Sequence, residues 1–74
     1  MKTITTKSGS QYLITEKDGK TYLMRGLTEY LVESISYKIG EPMRVMCRKL
    51  NSYTYEPSKE LTQIISTPVV NIIE

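Results

Sequence analysis

The sequence predicts an all-β fold, a small, strongly bent antiparallel sheet or barrel of about five to six strands and SH3-like or OB-like size. Three observations predict it. Short runs rich in Thr, Ile, Val and Tyr alternate apolar and polar residues along most of the chain. Glycine-bearing turn triplets punctuate those runs, with Lys7-Ser8-Gly9 and Lys17-Asp18-Gly19 ten residues apart. Little of the chain offers a helix, so the strands have to cover one another.

The first strand is Lys2-Thr3-Ile4-Thr5-Thr6, and Lys7-Ser8-Gly9 follows with glycine where a type I turn closed by a G1 bulge needs it. That loop sets Ile4 opposite Tyr12 and Thr6 opposite Ser10. A three-residue loop at Lys17-Asp18-Gly19 sets Glu16 opposite Lys20, Ile14 opposite Tyr22 and Tyr12 opposite Met24. A two-residue loop instead opposes Lys17 to Lys20, and like charges directly opposed are unfavourable. The three-residue reading is therefore the expectation. It predicts a three-stranded meander with a core face of Ile4, Tyr12, Ile14, Tyr22 and Met24, and a polar face broken by a Leu13–Leu23 pair.

Gly26 ends that meander. Leu27-Thr28-Glu29-Tyr30-Leu31-Val32 is open between a helical turn and an extended connection, because six residues are too few for periodicity to decide. Alternation resumes in Ser34–Ile39, sending Ile35, Tyr37 and Ile39 to one face. Gly40-Glu41-Pro42 is a turn by composition. Met43, Val45 and Cys47 then alternate with Arg44, Met46 and Arg48. Asn51 to Glu60 is the longest stretch without apolar alternation. From Leu61 to Ile73 a last strand region is expected, with a bulge or bend at Pro68. Its doubled pairs, Val69-Val70 and Ile72-Ile73, put apolar groups on both faces.

Seventy-four residues make one small domain. A chain of this length buries only about 60 % of its surface, so its core needs supplementing. With one cysteine and no histidine it has neither an intrachain disulfide nor a zinc set. Self-association is then the expected supplement, and Leu13, Leu23, Val69 and Ile73 are the apolar positions expected to carry it. A single unpaired cysteine fits a reducing compartment, and no apolar run is long enough to span a bilayer. The expected location is the cytoplasm, away from membranes.

The composition removes several chemistries. No histidine means no usual general base and no Ser/His or Cys/His pair. Cys47 reads as a buried structural thiol. The carboxylates are scattered and no glycine-rich phosphate loop is present. The chain is expected to be a non-enzyme without cofactor or metal. Its expected contact surface is Arg44, Arg48, Lys49, Tyr53 and Tyr55. Guanidinium forks suit phosphate or carboxylate, and tyrosines give rigid stacking area. Ten basic against eight acidic residues leave a net charge of +2, which weakens a nucleic-acid reading without removing it.

Three stretches resemble recurring patterns. Thr6-Lys7-Ser8-Gly9-Ser10-Gln11-Tyr12-Leu13-Ile14 resembles T-x-S-G-S-x-Y-x-I, Ile39-Gly40-Glu41-Pro42-Met43 a hydrophobic-Gly-x-x-apolar turn, and Ser66-Thr67-Pro68-Val69-Val70-Asn71-Ile72 a T-x-x-V-x-x-I ending. In this order they are similar to small β-barrel proteins encoded by bacteriophages and prophages. The resemblance covers under a third of the chain and implies no functional residue. It implies a phage-type accessory or counter-defence protein inside a bacterial host. Such a protein acts by occupancy, on a host protein or a small anionic, nucleotide-like ligand, as a homo-oligomer. A nucleic-acid-binding small barrel and a phage structural or assembly subunit are the alternatives.

Overall fold

The computed structural model describes all 74 residues, Met1 to Glu74. Six antiparallel strands run in order: β1 (Lys2–Thr6), β2 (Gln11–Lys17), β3 (Lys20–Arg25), β4 (Thr28–Ser36), β5 (Pro42–Lys49) and β6 (Thr62–Ile73). Each pairs with the next, and β6 returns to pair with β1, so the sheet closes into a barrel. The all-β expectation holds, and the sheet closes through β6, whose first half pairs with β5 and second half with β1.

The first hairpin is as expected. Ile4 lies opposite Tyr12, and the amide of Thr6 donates to Ser10 O across the Lys7-Ser8-Gly9 loop. The second hairpin differs by one residue. Ile14 pairs with Leu23, Thr15 with Tyr22 and Lys17 with Lys20, which makes Asp18-Gly19 a two-residue turn. Both residues have positive φ, 54° and 75°, the conformation of a type I′ turn. That turn matches the natural strand twist, and the register it sets sends Leu23 inward. Full burial of a leucine is worth roughly 1.5–3 kcal/mol. Two exposed, screened lysines oppose it with less than about 1 kcal/mol.

The slip reverses the expected faces of β3. Leu23 is fully buried, whereas Tyr22 is half-exposed and Met24 exposed. The core is Ile4, Tyr12, Ile14, Leu23, Met43, Val45, Cys47 and Val69, with Tyr30, Val32, Ile35, Tyr37, Ile64 and Ile72 packed against it. Of the four expected self-association positions, Leu23 and Val69 are therefore interior. Val69 is held there by a clamp: Gly40 N donates to its carbonyl and its own amide donates to Glu41 O, at 2.8 and 2.9 Å. Leu13 stays half-buried on the outer wall, and Ile73 is exposed.

Leu27–Val32 is extended, and from Thr28 it forms the start of β4. Arg25 pairs with Thr28, so Gly26-Leu27 is a two-residue turn, with φ of 60° at Gly26 as a type II′ turn requires. A shift in register at Glu33 then lets both Val32 and Ile35 face the core. The chain leaves β4 after Ser36. Ile39 consequently lies outside the expected Ile35–Tyr37 face and is exposed. β6 is twelve residues long, pairing with β5 through its first half and with β1 through its second. Pro68 sits opposite Pro42 beside a register shift, the expected irregularity.

Candidate functional site

The β3–β4 turn and the long β5–β6 connection lie side by side at one end of the barrel. The connection does not trail into solvent. Leu50 N donates to Glu29 O, Asn51 N to Glu56 O and Ser58 N to Lys49 O, so the chain folds back beside β4. Asn51 organises the bend, its side-chain Oδ1 accepting from the amides of Tyr53 and Thr54 at 2.8 and 3.1 Å. Leu50 is buried beneath the returning chain.

Between this connection and the β3–β4 hairpin lies an open groove of about 830 Å³. Met24, Leu27 and Glu29 line the hairpin side, while Lys49, Tyr55 and Pro57 line the other. Tyr55 is held in the left-handed region, φ 63°, an uncommon state for a residue with a side chain. Its phenol donates to Glu29 Oε1 across the groove, and the neighbouring carboxylate raises the Tyr55 pKa above the usual tyrosine value.

The five expected contact residues part company here. Lys49 and Tyr55 meet in the groove. Arg48 is occupied within the molecule: its Nε donates to Glu33 and its Nη1 donates to the carbonyls of Ser58 and Lys59. It is an anchor for the connection. Arg44 lies on another part of the outer wall, beside a hollow of about 160 Å³ flanked by Ser34, Ser36 and Gln63. Tyr53 is almost wholly exposed at the tip of the bend, outside the groove lining.

The hairpin half of the groove lies outside the contact surface expected from the sequence. Its signal was Gly26-Leu27, a Gly-X pair between two strand patterns that fits a type II′ hairpin. The turn puts Leu27 at its tip, fully exposed, with Met24 one step behind. The groove thus combines apolar positions, one ammonium, and the carboxylates of Glu29 and Glu56. Such a mixed lining suits a protein surface better than a polyanion.

Cys47 is buried, its Sγ 3.6 Å from Thr62 O, and burial pushes its pKa above the ordinary thiol value. That is a structural thiol in a core position. No group of His, Cys, Asp and Glu side chains is arranged to hold a metal ion. No helix is long and apolar enough to cross a membrane.

No protein-family model matches this chain, and neither the curated proteins nor the solved structures include a significant match.

Proposed function

We propose that the chain is a non-enzymatic binding protein that acts by occupancy, with a protein partner seated at the groove between the β3–β4 hairpin and the Asn51–Ser58 connection. One observation carries this reading: Leu27 stands fully in water at a tight turn that needs the preceding glycine but no leucine. An apolar side chain held out on a rigid hairpin beside Met24 and Tyr55 is the form of an interface anchor. The Tyr, Asn and Ser of the opposite wall supply adaptable polar contacts around it.

A small anionic ligand fits less well, because Arg48 is engaged with Glu33, and Glu29 and Glu56 face the one groove lysine. A phage-type origin and action on a host protein in the bacterial cytoplasm belong to this proposal through the sequence resemblance alone.

Tagged wild-type protein and single variants would test it by partner capture. A partner retained by Ile65→Glu, on another part of the outer wall, but lost by Leu27→Asp and Lys49→Glu, is the expected outcome. Equal capture by all of them contradicts the groove. A thermal shift with nucleotides, or salt-sensitive binding of single-stranded DNA or RNA, would favour ligand sequestration or nucleic-acid binding instead.

A further inference from the structure

The outer wall carries an apolar stripe that neither the core nor the groove explains. Pairing registers align Ile73, Thr3, Leu13, Met24 and Glu29 in one row across β6, β1, β2, β3 and β4. The next row in the same outward phase contains Thr15, Tyr22 and Leu31. Ile73 and Met24 are 56 % and 37 % exposed, while Leu13, Tyr22 and Leu31 are half-buried. Outward faces of antiparallel sheets are normally polar, yet Leu13, Met24, Tyr22 and Leu31 form an apolar stripe on the neighbouring β2, β3 and β4, with Ile73 further round the barrel on β6. Tyr22, Met24 and Leu31 lie on β3 and β4, which are paired on both sides, so a partner meets this part of the wall face to face.

The charges at the two ends of the stripe identify the partner. Lys20 lies two residues before Tyr22 on β3, and Glu29 two residues before Leu31 on β4. The strands are antiparallel, so Lys20 and Glu29 stand at opposite ends of the Tyr22–Leu31 row. Neither forms an ion pair within the molecule, whose two ion pairs are Lys2–Glu74 and Arg48–Glu33. Glu29 accepts the neutral phenol of Tyr55 and makes no ion pair. Lys20 is further loaded by Lys17 directly opposite.

We infer that a second copy of this chain covers the stripe as an isologous dimer. Its two-fold axis crosses the strands between Tyr22 and Leu31. That axis exchanges Lys20 with Glu29, so each copy's ammonium meets the other's carboxylate at both ends of the contact. The two walls then cross near the roughly 30° at which aligned sheets pack. The dimer supplies the burial that a chain with ten buried residues lacks. Met24 and Glu29 also line the groove, so two grooves flank the contact, but the dimer does not depend on the groove having a ligand.

Sedimentation velocity from micromolar to millimolar protein tests this without any partner. The expected species has twice the 8.5 kDa chain mass. Met24→Glu is expected to weaken the dimer by at least about tenfold, and Ile65→Glu to leave it unchanged. Lys20→Glu and Glu29→Lys are each expected to weaken it, and the double variant to restore it. Lys20 is exposed at a hairpin end, so Lys20→Glu keeps the test open if Met24→Glu fails to fold. A monomer at every concentration overturns the inference. So does a dimer indifferent to Lys20→Glu and to folded Met24→Glu.

Discussion

The phenol of Tyr55 and the carboxylate of Glu29 are joined by a hydrogen bond that spans 26 residues of sequence and ties the β5–β6 connection to β4. This bond, the Asn51 bend and the Arg48 anchor give a long loop a defined shape. Each can be removed separately.

Tyr55→Phe deletes the hydroxyl and keeps the ring. Amide hydrogen exchange at Tyr55 and Glu56 is expected to quicken, with exchange in β2 and β3 unchanged. Equal protection in both proteins would mean that the bond does not hold the connection.

The same bond sets a pH dependence. Glu29 raises the Tyr55 pKa, so the folded state keeps this proton above pH 10, where an unfolded tyrosine loses it. The stabilisation is complete below that pH and is lost as pH rises through the folded-state value. Ultraviolet titration should show Tyr55 ionising late, as a component that Tyr55→Phe removes.

Arg48 is expected to act in folding rather than in ligand capture. Arg48→Met removes the Glu33 pair and the bonds to the Ser58 and Lys59 carbonyls. The cost should be about 1–2 kcal/mol after allowing for its partial exposure. Arg48→Lys should recover little of it, because one ammonium does not reproduce a planar fork. Chemical denaturation measures both. Full rescue by lysine would reduce the role to charge alone.

The β3 register predicts opposite outcomes at neighbouring residues. Leu23→Ala should cost about 2–5 kcal/mol, a large part of the roughly 4–11 kcal/mol expected for a chain of this size. Leu27→Ala should lie within about 0.5 kcal/mol of wild type. Thermal unfolding reads both, and a mild Leu23→Ala would return the strand to the other register.

Cys47 should be inert to thiol reagents in the native protein. Its burial and raised pKa suppress the thiolate, so modification should follow unfolding rather than reagent concentration. Rapid native labelling would place it at the surface.

Much of the architecture was legible because alternation and turn chemistry are local. Met43, Val45 and Cys47 were readable as one buried face, and Gly9 as the bulge residue of its loop. The β2–β3 register was not, because cross-strand charge favours the other pairing and the burial of Leu23 that outweighs it comes only with closure of the barrel. The same closure hides Val69, which a doubled Val69-Val70 pair cannot reveal by itself. At the groove, Lys49 and Tyr55 were readable from composition. Glu29, Met24 and Leu27 were not, because a six-residue segment of undecided structure carried half the wall. Arg48 looked free until a partner fifteen residues away, Glu33, came beside it.

The groove is most directly tested by hydrogen exchange on the chain in complex with a captured partner. New protection confined to Gly26–Glu29 and Lys49–Ser58 is the predicted result. Protection elsewhere on the barrel, with Leu27 and Tyr55 exchanging as in the free chain, would contradict it.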